Sequence, residues 1–138
     1  MTVSLRAAAP AEASVMFAQI APWVSEAIED FGTCWTLPDV RARLADGTLQ
    51  LWLIKDGARS IGIICTEVYD TARGKTCALP IVYCEDMAAS IAGVLTDIEA
   101  WARSIGCVRL QGEGRRGWER ALRPLGWKTI TTQVEKVL

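Results

Sequence analysis

The sequence predicts an α/β chain of the α+β type, a mixed, mainly antiparallel sheet with helices on both faces. Two observations carry that reading. Three strand-like segments, residues 49–54, 60–69 and 75–83, follow one another directly, and consecutive strands joined by short turns pair antiparallel. A long amphipathic helix then leads to another short strand at 108–111, and a helical crossover of that length joins parallel neighbours.

Taken in order, residues 3–6 read as a short opening strand. Residues 11–30 carry Val15, Phe17, Ile20, Trp23, Val24 and Ile28 at helical spacing, and Pro22 is expected to kink or split that helix. A second helix begins at Pro38, where a first-turn proline is tolerated, and stops before Gly47. From Leu49 the apolar period changes to that of a strand. The Asp56-Gly57 pair marks a hairpin turn, its connection a little longer than the tightest two-residue kind. Pro80 removes a ladder donor inside 75–83 and predicts a bulge or local splay. Asp86 is expected to cap a helix running through Ser104, with Ile91, Val94, Leu95, Ile98, Trp101, Ala102 and Ile105 on one face and Gly106 at its end. A short helix at 117–125 and a final strand at 129–138 complete the chain.

Composition describes one globular domain spanning 1–138. The 138 residues are 51% hydrophobic and 22% charged, with a formal net charge of -1, which excludes a disordered chain and gives no general pull toward nucleic acid or acidic membranes. The opening MTVSLRAAAPAEAS lacks a basic region followed by an apolar run, and no stretch reaches the ~20 apolar residues of a membrane span, so a soluble, unprocessed, cytoplasmic protein is expected. Cys34, Cys65, Cys77, Cys84 and Cys107 show no C-x-x-C spacing. Buried free thiols are favoured over disulfides, and no metal site is expected. Histidine is absent, which removes Ser-His-Asp triads, Cys-His pairs and histidine bases together.

Three stretches give the chain a family likeness. The hairpin LWLIKDGARSIGIICTEVY, the helix-to-strand turn WARSIGCVRL and the ending GRRGWERALRPLGWK, with its Leu125-Gly126-Trp127 turn, occur in the order and spacing of the GNAT superfamily of acetyl-CoA-dependent N-acetyltransferases. The chain most resembles the small divergent GNAT-like proteins of tailed phages and prophages. The resemblance implies a GNAT-like fold and, for active members, acetyl-CoA as cofactor. Fold alone does not assign activity.

Carried over residue by residue, the resemblance implies a site that has been altered. Active members hold the cofactor pyrophosphate on an R/Q-x-x-G-x-G/A loop before the central helix. The matching stretch, Tyr83-Cys84-Glu85-Asp86-Met87-Ala88-Ala89-Ser90, has no Arg, Gln or Gly and places two carboxylates where phosphates would bind. Cofactor contacts, if made, fall to Tyr83, Asp86, Met87 and Ala88. The tyrosine that protonates the departing thiolate is matched by Leu122, four residues before Gly126, and leucine donates no proton. Glu67 reads either as an edge-facing strand glutamate or as a general base toward an attacking amine, and Tyr83 either as a packing aromatic or as a proton donor. Cys84 reads as a buried thiol or, near a helix N-terminus, as a nucleophile.

Charge is unevenly spread. Arg109, Arg115, Arg116, Arg120, Arg123 and Lys128 crowd the last third, whereas Glu12, Glu26, Glu29, Asp30, Asp39 and Asp46 mark the first. Such ends are either solvated faces or a docking surface for other protein subunits. Arg115, Arg116, Trp118, Arg120 and Arg123 form the candidate interaction surface, with Trp118 either partly exposed as an anchor or packed. A nucleic-acid partner is not expected without a stacking motif. Two readings therefore stand. The first is a protein with an eroded cofactor site, carrying no cofactor, that acts as a binding or structural component, including a phage virion protein on phage structural partners. The second is an acyl-CoA-dependent N-acyltransferase on an unknown amine, using acetyl-CoA, with a strand N–H from 75–83 as oxyanion donor.

Overall fold

The computed structural model describes residues 3–31, 34–113 and 116–138. In chain order it contains β1 (Val3–Ala8), α1 (Pro10–Phe31), α2 (Leu37–Asp46), β2 (Gln50–Asp56), β3 (Arg59–Thr71), β4 (Gly74–Cys84), α3 (Met87–Ser104), β5 (Arg109–Gly112) and α4 (Arg116–Leu122), the last extended by a 3-10 turn at Arg123–Leu125. The strands form one sheet in the order β1-β2-β3-β4-β5. Its first three pairings are antiparallel and β4–β5 is parallel, so the expected mixed, mainly antiparallel sheet forms.

Strand alternation sorts the apolar residues onto two faces. Leu51, Leu53, Ile63, Cys65 and Ile81 meet Phe17, Ile20 and Val24 of α1, together with Val40 and Leu44 of α2. Ile54, Ile61, Ile64 and Cys77 meet Ile91, Val94, Leu95 and Ile98 of α3 on the other side. Trp52 stands edge-on to Trp101 at 4.8 Å between ring centres, and its indole N–H donates to the Thr66 hydroxyl at 3.0 Å. Helices thus cover both faces.

Several local expectations need correction. Pro22 does not split α1, because Phe17 and Ile20 before it and Val24 and Ala27 after it are held on the same sheet face. Val15 is 86% exposed, and Ala13 takes the buried place expected of it. Helix α2 starts one residue before Pro38, because Thr36 and Asp39 form a reciprocal capping box that satisfies two backbone N–H groups. The β2–β3 turn is the tight kind: Asp56 pairs with Arg59 across two residues. Gly57 takes the positive φ of 61° that the first place of such a turn requires. Ile105 lies outside the buried face of α3, at 36% exposure.

The largest departure is at the end of the chain. Residues 129–138 form no strand and are exposed throughout. Their sequence has strand character, but a strand exists only where a neighbouring backbone pairs with it, and among the described residues none does.

Two features of β3 and β4 shape the region beside α3. Cys65 pairs with Ile81 and Glu67 with Ala78, so Thr66 faces two residues, Leu79 and Pro80. This is the bulge that Pro80 predicts. Pairing of β4 with β5 runs from Thr76 opposite Arg109 to Leu79 opposite Gly112 and stops there, leaving the strands to part beyond the bulge. Nearer the end of β4, Gly62 lies opposite Cys84, and a Cβ at Gly62 would stand 2.2 Å from the Tyr83 carbonyl oxygen.

Candidate functional site

The parting of β4 and β5 leaves a cleft between them. Its lining is Leu79, Val82, Gly112, Glu113, Trp118, Leu122 and Trp127, and the open space left among them is only about 30 Å³. That is the volume of roughly one water molecule, whereas small-molecule pockets run to roughly 300–1,000 Å³. Leu122 belongs to the core packed under α3, and Trp118 and Trp127 pack against that core, so apolar side chains fill the space between β4 and β5.

Trp127 reaches this position through the turn before it. Gly126 adopts a φ of 90°, and the Trp127 N–H donates to the Leu122 carbonyl at 3.3 Å, which folds the ring back over Gly112. Sequence reading missed this filling. The Leu-Gly-Trp turn was the available signal, but it does not say into which space the indole turns.

The start of α3 differs from expectation in its partners. Asp86 occupies the cap position, yet its side chain makes no capping hydrogen bond. Glu85 does not cap either: its carboxylate is ion-paired to Arg59, and its N–H is bonded to the Ile61 carbonyl at 2.9 Å, which ties the loop to β3. A turn into the helix, Ser90 is 2% exposed and its hydroxyl has no hydrogen-bond partner. Asp86 and Ala88 are exposed, and Met87 is half-buried against the α3 core. The first turn of α3 therefore combines uncapped N–H groups with two carboxylates beside them, an arrangement that opposes its own dipole's attraction for a phosphate.

The two candidate catalytic side chains lie on the opposite face of the sheet, with α1 and α2. Tyr83 stacks on Trp23 of α1, ring centres 5.7 Å apart and planes 18° from parallel. Glu67 stands 3.8 Å from the Arg43 guanidinium of α2, and Arg43 in turn covers the Trp35 ring at 4.6 Å. Tyr83 pairs with Ile63, four residues along β3 from Glu67. At about 3.3 Å per residue their backbones are about 13 Å apart along the strand. Beside Glu67, a surface hollow of about 210 Å³ is lined by Cys34, Trp35, Asp39 and Arg43, a grouping that sequence spacing did not single out.

Among the interaction candidates, Trp118 is half-buried against the α3 core, and Arg120 and Arg123 are exposed. Arg115 and the side chain of Arg116 lie outside the described residues.

Burial pushes Cys65 and Cys77 up to about 12 and raises Cys107, and Cys84 is buried at 8% exposure. Only Cys34 is exposed. Titration of the native protein with a thiol-reactive disulfide is expected to label Cys34 alone, and all five cysteines after denaturation. Fast native labelling of Cys84 would contradict its burial and revive it as a nucleophile.

No family model matches this sequence, and no curated protein does. Solved structures do match in fold. A probable acetyltransferase superposes with a TM-score of 0.70 at 13% identity, covering 100% of this chain and 97% of the other. A predicted acetyltransferase with acetyl-CoA from Clostridium acetobutylicum gives 0.72 at 12% identity, over 99% and 96% of the two chains. An aminoglycoside acetyltransferase from an uncultured soil metagenomic sample, in complex with sisomicin, gives 0.71 at 8%, over 99% and 96%. The chain therefore has the GNAT-like acetyltransferase fold. The Clostridium acetobutylicum structure was solved with acetyl-CoA, and among the described residues of this chain no helix is long and apolar enough to cross a membrane.

Proposed function

We propose that this protein uses the acetyltransferase fold as a binding or structural scaffold and does not transfer acyl groups from CoA. The observation that carries this reading is the filled cleft: Trp118, Leu122 and Trp127 leave about 30 Å³ where β4 and β5 part. The absence of a loop glycine, the carboxylates of Glu85 and Asp86, and Leu122 in place of a proton donor support it. The exposed Arg120 and Arg123 are then part of a surface for protein subunits. Resemblance to small phage and prophage proteins makes a virion component the specific form of this proposal.

A second reading is favoured by the uncapped first turn of α3 and the unsatisfied Ser90 hydroxyl behind it. In that reading acetyl-CoA enters after the two tryptophans swing out, and an N–H of β4 near the bulge holds the oxyanion. Pro80 itself supplies none. Glu67 is the available base there, on the α2 side of the sheet.

Isothermal titration of acetyl-CoA and of CoA into the protein separates the two. We expect no heat and no thermal shift at millimolar ligand. Micromolar binding would overturn the scaffold reading and turn attention to amine acceptors and a Glu67→Gln variant.

A further inference from the structure

Two charged poles of opposite sign lie at opposite ends of the sheet. Helix α1 contains no Lys or Arg, and Glu26 and Glu29 near its C-terminus are exposed and pair with no cation among the described residues. Carboxylates there add to the negative end of the helix dipole, where a cation is the stabilising neighbour. The other pole surrounds the β3–β4 turn and the start of β5. Arg73 is exposed, Lys75 donates to the Ile105 carbonyl at 3.1 Å, and Arg109 donates to the Arg73 carbonyl at 3.0 Å, so backbone oxygens rather than carboxylates gather these cations. Asp70, opposite Lys75 across β3–β4, offsets one of their charges. Ile105, 36% exposed, and Val108, 64% exposed, add apolar surface beside them.

Distance keeps the poles from neutralising each other within one molecule. Tyr83, near the end of β4, stacks on Trp23, three residues before Glu26, whereas Lys75 lies at the start of β4. The eight residues from Lys75 to Tyr83 span about 26 Å, some three times the roughly 8 Å over which exposed charges act at physiological salt. Each pole is thus left without a counter-charge in its own chain, and a second copy supplies one.

We infer that copies of this chain associate head to tail, the Glu26 and Glu29 end of α1 in one copy docking on Arg73, Lys75 and Arg109 of the next. Guanidinium groups suit the contact, because each can hold a carboxylate through two parallel N–H donors. Contact between two different patches is heterologous: each added copy presents another free pole, so association runs past two copies unless a ring closes. The association goes beyond the scaffold reading and does not depend on whether the β4–β5 cleft takes CoA.

Sedimentation equilibrium on the full chain tests this. At about 0.1 M salt the mass is expected to climb with concentration past twice the 15.1 kDa of one chain, and at about 1 M salt to fall back toward one chain. Arg73→Gln with Arg109→Gln, and separately Glu26→Gln with Glu29→Gln, should each weaken association by at least about tenfold. The decisive sample is an equal mixture of these two double variants. One keeps the acidic pole and the other the basic pole, so the mixture should form pairs of twice the single-chain mass and nothing larger. Should Arg109→Gln disturb the turn whose carbonyl it holds, Arg73→Glu alone takes its place, since the Arg73 guanidinium bonds no described residue. A monomer at every concentration in about 0.1 M salt overturns the inference, as does an assembly that both double variants leave intact, or a mixture that behaves as the sum of its parts.

Discussion

Gly62→Ala is expected to cost on the order of 3–5 kcal/mol, a large share of the roughly 5–15 kcal/mol that holds a domain together. The added Cβ would stand 2.2 Å from the Tyr83 carbonyl oxygen and 2.7 Å from the Cys84 Cα, both backbone atoms of the paired strand. No rotamer can relieve that contact. The β3–β4 pairing would have to open beside α3, where the Glu85 N–H bonds the Ile61 carbonyl. Urea denaturation measures the loss, and Gly93→Ala supplies the control. Gly93 lies in α3 with nothing within 4 Å of its Cβ position, so the same substitution there should stabilise by about 0.5–1 kcal/mol. Similar effects at the two glycines would refute the steric argument.

Ile98→Ala should cost about 2–5 kcal/mol, because Ile98 is fully buried between α3 and the sheet and the close-packed surroundings cannot collapse into the space. For a chain of this size, each kcal/mol lowers the melting temperature by roughly 2–8 °C, so a fall of about 10 °C is expected by calorimetry. Val15→Ala is the matched exposed change and should stay within about 0.5 kcal/mol of the parent. If Ile98→Ala proved as mild as Val15→Ala, the α3 face would not be the second core described above.

The candidate site was legible in the sequence in one respect and hidden in another. Loop chemistry is local: a missing glycine, two adjacent carboxylates at Glu85 and Asp86, and Leu122 at a proton donor's place can all be read from residue identities. Partners are not local. Glu85 meets Arg59 from twenty-six residues away, and Glu67 meets Arg43 of α2, and neither pairing can be read from the residues beside these acids in sequence. The spacing of Tyr83 and Glu67, four strand positions apart, is likewise set by the β3–β4 register.

What the sequence determined by itself was the order and kind of the elements through Leu125, because helix and strand periods, positive-φ glycines and the effect of Pro80 act within a few residues. Only the tertiary structure decided two things that bear most on function. It turned Trp118 and Trp127 into the cleft between β4 and β5, and it left residues 129–138 without a strand partner among the described residues. Both depend on contacts between distant parts of the chain: an indole fills whichever space the fold leaves beside it, and a strand needs a second backbone to complete its hydrogen bonds.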